Sequence, residues 1–260
     1  MKTPLMPIEI RSSYEDKNGN EVLLPKRMAI CTPDTFDAVF AIRDALRENG
    51  GDLVLSDMYR SFDMQLQAHN DFVTGKKSAN SPAPGGSMHE AGRAFDLELS
   101  RIKIKLADFW AIAKENGVFP IIDKPNASKD EAWHFDRRGS HQIVYDYYKA
   151  GKGQNFKAPY PAMAASAILT TGVRVLKWDG KLDEASIQSG LVRLGQELGD
   201  IDGEIGQKTK QALGNLGIEF TSVSDALIAV EKMLKDKFPE EYLTQADDNI
   251  PVHLIPSPNA

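Results

Sequence analysis

Apolar and polar residues alternate with two different periods along the first 155 residues of the chain. After a favourable helix start at residues 33–35, apolar residues from Phe36 to Leu46 recur at helical spacing. Phe95, Leu97 and Leu99 instead alternate with polar residues, which is the period of a strand. The same patterns predict a hairpin at a turn at 18–20, helices at 62–73, 104–116 and 142–149, and strands at 52–55 and 132–135. Together they indicate an α+β fold.

The remainder of the chain has a purely helical pattern. Residues 151–161, GKGQNFKAPYP, have the composition of a linker. Helical patterns follow at residues 185–198, 207–213 and 223–238. We therefore expect a first domain at 1–155, a linker and connecting segment at 156–183, a small all-helical domain at 184–243, and a flexible tail at 244–260.

Composition and charge narrow the class of protein. A chain of 260 residues is long enough for two domains. Its net charge of -6 argues against nucleic acid as a partner, because nucleic-acid binders are normally basic. No run of about 18 apolar residues predicts a membrane span. Residues 1–13 lack the apolar run of a signal peptide, so we expect a soluble protein made in the cytoplasm. The single cysteine, Cys31, excludes an internal disulfide and leaves both redox compartments open.

Three residues in two short blocks form a possible metal site. His89 and Asp96 lie in SMHEAGRAFDLEL, and His134 lies in EAWHFD. Two imidazoles and one carboxylate are a complete protein ligand set for one catalytic zinc ion, with a fourth position left for water. The same set also holds non-haem iron, so the ligand types alone leave the metal open. Gly92 allows the chain to turn between the first two ligands.

A further carboxylate favours hydrolysis at this site. Peptide hydrolysis needs a base that takes a proton from water and returns it to the leaving amine, and Glu131 lies three residues before His134. Because these two residues have opposite strand parity, Glu131 must lie at the mouth of the strand, where the backbone turns it toward the metal. Arg60 either binds a substrate carboxylate or oxyanion, or pairs with an acid such as Asp57. Ser87 either donates to the substrate or caps the loop.

The blocks SDMYRS, SMHEAGRAFDLEL and EAWHFD resemble those of the zinc D-Ala-D-Ala peptidases. This family includes VanY-type carboxypeptidases, VanX-type dipeptidases and phage L-alanyl-D-glutamate endolysins. Its pattern, Ser-x-His-x-x-Gly-x-Ala-x-Asp followed by Glu-x-Trp-His, is matched at every fixed position, and the resemblance covers roughly residues 54–136. It implies that the three ligands above bind zinc, that Glu131 is the catalytic base, and that Arg60 and Ser87 contact substrate or transition state.

The resemblance also carries expectations about the fold and the substrate. It implies a small central antiparallel sheet flanked by helices. Asp57 stands where the carboxypeptidase branch commonly has glycine, and in this it resembles the dipeptidase branch. The resemblance therefore implies that Asp57 lies near the substrate. Arg93, between the ligands, is expected at the surface.

The helical region resembles a second kind of domain. Residues 191–213, LVRLGQELGDIDGEIGQKTKQAL, are similar to the three-helix peptidoglycan-binding domain that often accompanies wall hydrolases. The shared features are the leucine spacing, the turn at Asp202 and Gly203, Gly206 and Thr209, whereas the usual Phe-Gln after this stretch is missing. This resemblance implies peptidoglycan or its stem peptides as the partner.

Two classes of function follow. The first is a zinc metallopeptidase that cleaves an amide bond of the peptidoglycan stem, as a D-Ala-D-Ala carboxypeptidase or as an endolysin-like L-Ala-D-Glu endopeptidase. The second is a non-catalytic wall-binding or signalling module with a structural zinc, because Hedgehog signalling domains resemble the same scaffold; Glu131 argues against it. A wall-cleaving protein without a signal peptide is expected to reach the wall by phage lysis or contact-dependent delivery, and a cytoplasmic enzyme that recycles wall peptides is the alternative. The amino-acid sequence does not indicate an oligomeric state.

Overall fold

The computed structural model describes residues 2–243, and it confirms the α+β fold. The tail expected at 244–260 lies outside the described residues. Within the described part, the strands are β1 (Met6–Pro7), β2 (Arg11–Glu15), β3 (Glu21–Leu23), β4 (Ile30–Cys31), β5 (Leu55–Asp57), β6 (Ala94–Leu97), β7 (Val118–Pro120) and β8 (His134–Arg137).

Helices surround these strands and make up most of the second half of the chain. Within residues 2–243, the α-helices are α1 (Pro33–Glu48), α2 (Phe62–Val73), α3 (Leu106–Glu115), α4 (His141–Lys149), α5 (Pro159–Thr171), α6 (Leu182–Arg193), α7 (Gln207–Asn215) and α8 (Val223–Lys237). Short 3₁₀ helices join them, and the one at Met88–Ala91 contains His89. Among the helices described, none is both long enough and apolar enough to cross a membrane.

Six strands form one sheet in the order β3-β2-β5-β6-β8-β7, and β1 pairs separately with β4. The β5–β6, β6–β8 and β7–β8 pairings are antiparallel, as expected. The β2–β5 pairing is parallel, so the sheet as a whole is mixed. A parallel pair needs a long connection, and helix α1 lies in it.

The register of β6 and β8 brings the two sequence blocks together. Asp96 pairs directly with His134, and on the other side Asp57 pairs with Asp96. Side chains of directly opposed residues lie on the same face of a sheet, so these residues converge. Strand β8 begins two residues later than the predicted 132–135, because a turn occupies residues 131–133. Strand β5 begins three residues later than the predicted 52–55, and residues 51–54 before it are irregular.

The opposite face of the sheet is covered by a hydrophobic core. Phe95 of β6 and Phe135 of β8 stack with ring centroids 6.2 Å apart, and Phe109 of α3 meets Phe135 edge-on at 4.9 Å. Helix α1 adds fully buried apolar residues to the same cluster. Because strand side chains alternate between faces, this packing directs Asp96 and His134 to the other side.

The segment expected to be a linker contains helix α5. Residues 162–169 are all buried, and the helix packs against α4, α6 and the 3₁₀ helix at Met88–Ala91. A helix with apolar residues on every side is buried in the interior of a protein. Met88 and Ala91, which flank His89, belong to the same hydrophobic cluster as the buried residues of α5, α6 and α8.

Arg93 is fully buried, contrary to the surface position expected for it. Its Nη1 donates to Asp34 Oδ2 at 2.8 Å, and its Nη2 lies 3.5 Å from Glu241 Oε2. Glu241 also pairs with Arg193 of α6. Buried charges persist only when they are paired. The guanidinium of Arg93 therefore joins α1 to the C-terminal helices.

Candidate metal centre

The loop before the first candidate ligand is held by a capping box. Ser87 Oγ accepts from the His89 N–H at 3.3 Å, and the Glu90 carboxylate accepts from the N–H groups of Ser87 and Gly85. Burial raises the pKa of Glu90 to about 7, even though these N–H groups favour its charged form. Gly92 ends the helix with a φ of +62°, and a Cβ there would lie 3.0 Å from Cys31 Cα, so the turn requires glycine.

His89 is oriented by the backbone of the residue that follows strand β5. Its Nδ1–H donates to the carbonyl oxygen of Met58 at 2.6 Å, and the ring is buried. This bond assigns the proton to Nδ1 and leaves the Nε2 lone pair available as a ligand. Nε2 faces the other two candidate ligands.

The three candidate ligand atoms form a compact triangle. His134 Nδ1 lies 2.9 Å from Asp96 Oδ1, His89 Nε2 lies 3.2 Å from His134 Nδ1, and His89 Nε2 lies 3.4 Å from Asp96 Oδ1. A tetrahedral zinc ion with bonds of about 2.0–2.1 Å separates its ligand atoms by about 3.3 Å. The triangle therefore has the dimensions that such an ion requires.

The electrostatics of the triangle favour a positive charge at its centre. Burial would lower the pKa of His134, but Asp136 and Asp96 outweigh it and raise this pKa to about 10. Burial would raise the pKa of Asp96, but the two imidazoles hold it well below its usual range. Acceptor atoms this close repel one another unless a cation lies between them. These residues fit one zinc ion in charge, donor type and spacing.

Arg60 connects the triangle to Asp57. Its Nε donates to Asp57 Oδ2 at 2.6 Å, and its Nη2 lies 3.4 Å from Asp96 Oδ2. Arg60 is nearly buried and lines the cleft above the triangle, whereas Asp57 is not among the lining residues. Asp57 therefore holds Arg60 in place, and the structure does not bring its carboxylate to the cleft where substrate contact was expected.

Glu131 lies at the mouth of β8, where the strand parity required it. Its φ of +66° is left-handed, which is uncommon outside glycine, and this turn directs its side chain into the cleft. Its Oε1 atom is buried and has no hydrogen-bond partner. Burial raises the pKa of Glu131, with Asp96 acting in the same direction and His134 against it.

One cleft of about 470 Å³ is lined by Arg60, Ser87, Glu131 and the three candidate ligands, and Asp57 is not among its lining residues. Ser87 lies on its wall as well as capping the loop, together with the neighbouring residues 79, 80 and 82–86. The segment that sequence patterns assigned to the linker supplies further lining, from Phe156, Tyr160, Val175 and Lys177. The cleft is therefore built from both halves of the chain.

Two residues beside the triangle were not anticipated. His134 Nε2–H donates to Asp136 Oδ1 at 2.9 Å, and Tyr160 of α5 donates its hydroxyl to the same oxygen at 3.3 Å. The spacing of His134 and Asp136 by two residues on a strand is a signal for a shared face. No sequence signal connects Tyr160 with this site, because the contact depends on how α5 packs.

No protein-family model matches the chain, and no curated protein matches it. The solved structures that are similar to part of the chain include two peptidoglycan carboxypeptidase-type proteins. The LD-carboxypeptidase LdcB, whose structure is described as revealing the molecular basis of peptidoglycan recognition, is 19% identical over 51% of this chain and 66% of its own, with a TM-score of 0.39. A variant of the vancomycin-resistance D,D-pentapeptidase VanY in complex with Zn(II) is 16% identical over 53% of this chain and 84% of its own, with a TM-score of 0.34.

Proposed function

We propose that this protein is a zinc-dependent peptidase that cleaves an amide bond in the peptidoglycan stem peptide. The observation that supports it is the convergence of His89, Asp96 and His134 on one point, with Glu131 in the same cleft. The substrate class follows from the resemblance of these sequence blocks to the zinc D-Ala-D-Ala peptidases. The peptidoglycan partner and action on the wall after release from the cytoplasm belong to the same proposal.

Zinc bound by the three ligands supplies Lewis-acid chemistry, which lowers the pKa of a water molecule to about 7 and polarises a carbonyl group. Glu131 accepts the proton of the attacking water at its unpartnered Oε1 and returns it to the leaving amine. The raised pKa of Glu131 suits both transfers, because it brings the carboxyl closer to neutral pH.

Arg60 stabilises negative charge at the reacting carbonyl or binds a substrate carboxylate. Its guanidinium stays charged at every physiological pH, and its orientation is fixed by Asp57 at Nε, by Gln65 at Nη1 and by Asp96 at Nη2. A preorganised cation of this kind stabilises a developing oxyanion without reorganising. Ser87 lies on the same wall, although its Oγ already accepts the His89 N–H.

The test uses the zinc-loaded full chain and defined stem pentapeptides that end in D-Ala-D-Ala, followed by mass spectrometry. Release of D-alanine identifies a carboxypeptidase, and a cut between L-alanine and D-glutamate identifies an endopeptidase. We expect a chelator to abolish cleavage and added zinc to restore it. Intact peptides after incubation with zinc-loaded protein would refute the peptidase and leave a non-catalytic wall-binding module, which cosedimentation with purified walls detects.

A further inference from the structure

The N-terminal turn of α5 reaches the metal centre through one hydroxyl group. Tyr160 lies at the second position of this helix, and its ring lines the cleft. Its hydroxyl donates to Asp136 Oδ1, which also accepts the Nε2–H of His134. One carboxylate oxygen thus joins a helix of the C-terminal region to a candidate zinc ligand.

We propose that Asp136 and Tyr160 are positioning residues that orient His134 for metal binding, so that helix α5 is part of the metal centre. This inference rests on the metal site of the proposed function. It goes further by assigning a role to a residue outside the segment that carries the resemblance.

Few contacts hold the Asp136 carboxylate in place. The residue is fully buried, and its Oδ2 has no hydrogen-bond partner among the described residues. Its Oδ1 makes the bonds to His134 and Tyr160. Without the Tyr160 hydroxyl, the bond to His134 is the one remaining side-chain hydrogen bond described for this carboxylate, so its orientation is less constrained.

The orientation of His134 depends on that carboxylate. The imidazole presents Nδ1 to the triangle, so Nε2 must carry its proton and keep a partner on the far side. A carboxylate in this position fixes the tautomer and the plane of a metal-binding imidazole, and its loss typically costs about 10- to 100-fold in metal affinity. Tyr160 acts one step further out, through Asp136.

The experiment measures the zinc dissociation constant of the full chain by competition with a chromophoric chelator. The variants are Asp136→Asn, Tyr160→Phe and, as a matched control, Tyr147→Phe. The Tyr147 hydroxyl bonds the backbone of residues 198 and 199, away from the cleft. The absorption spectrum of the cobalt(II)-substituted protein gives a second readout, because it reports ligand geometry and not fold stability.

We expect zinc binding to weaken by about 10- to 100-fold in Asp136→Asn and by about tenfold in Tyr160→Phe, with altered cobalt spectra. Tyr147→Phe lowers the melting temperature and leaves both metal readouts unchanged. Wild-type affinity and an unaltered cobalt spectrum in Tyr160→Phe would overturn the role of that residue, while the metal site itself stands. A wild-type protein that binds no zinc would overturn the proposed function and this inference together.

Discussion

The two carboxylate oxygens of Asp96 contact different groups. Oδ1 faces both imidazoles of the triangle, and Oδ2 faces the guanidinium of Arg60. A single buried carboxylate thereby links the candidate metal position to a positive charge that lines the cleft. The candidate ligand set was predictable from two short blocks, because few proteins place two imidazoles and a carboxylate in such a pattern. The contacts that orient these residues depend on tertiary packing, so they were not predictable from the sequence.

At the residue scale, Glu131→Gln separates catalysis from metal binding. Glutamine keeps the size and turn geometry of the side chain but accepts no proton. We expect unchanged zinc affinity and a loss of about 10²- to 10⁴-fold in the hydrolysis rate of stem peptides. The rate is measured by mass spectrometry on defined peptides.

The neighbouring acid supplies the control for this prediction. Asp130 is exposed and does not line the cleft. Asp130→Asn is expected to retain nearly the full rate. Hydrolysis by Glu131→Gln at the wild-type rate would contradict the assignment of the base.

Strands β6 and β8 and helix α5 set the geometry at the scale of elements. The alternating pattern at Phe95 to Leu99 made β6 predictable, whereas the neighbouring glycine and proline of residues 151–161 suggested a linker before α5. Helix α5 carries buried residues on every side, so it lacks the amphipathic period by which surface helices are recognised. Its position as an internal element became evident from the packing alone.

Ala164→Leu tests whether α5 is an internal element. Ala164 is fully buried, so a larger side chain has no space without displacing its neighbours. We expect the free energy of unfolding to fall by about 1–3 kcal/mol, measured by urea denaturation. Ala150→Leu, at an exposed position after α4, is the control and is expected to change it by less than about 0.5 kcal/mol. Equal stability of the two variants would contradict the enclosed position of α5.

The whole molecule is held together by charges as well as by its two hydrophobic clusters. Asp34, Arg93, Glu241 and Arg193 form a buried chain of alternating charge that runs from α1 to the C-terminal helices. The cleft likewise draws residues from both halves. Sequence patterns predict a first domain at 1–155 and a helical domain at 184–243, but composition alone does not reveal which charged side chains are buried where the two regions meet.

Glu241→Gln tests this connection. The substitution leaves Arg93 and Arg193 buried without a full counter-charge, which typically costs about 3–5 kcal/mol. We expect a loss of this size in the free energy of unfolding of the full chain. Glu240→Gln changes the adjacent exposed residue and is expected to have little effect. A similarly small effect of both variants would show that the charges do not join the two halves.

The pH dependence of stability gives an independent test of the same contact. Burial would raise the pKa of Glu241, but Arg193 and Arg93 outweigh it and hold this pKa well below its usual range. The carboxylate therefore stabilises the fold above the unfolded-state pKa of about 4.3, and this stabilisation is lost as the pH falls below that value. We expect the stability difference between wild type and Glu241→Gln to shrink from pH 5 downward. A difference that grows on acidification would contradict the sign of the shift.

The zinc content of the purified, zinc-loaded full chain, measured by elemental analysis after gel filtration, tests the central claim most directly. The variant His134→Ala removes one proposed ligand, and His69→Ala removes an imidazole that bonds the Ser81 carbonyl away from the triangle. Wild type and His69→Ala are predicted to hold one zinc ion per chain, and His134→Ala is predicted to lose it. Retention of zinc by His134→Ala, or a wild-type chain that holds none, would contradict the metal centre on which the proposed function depends.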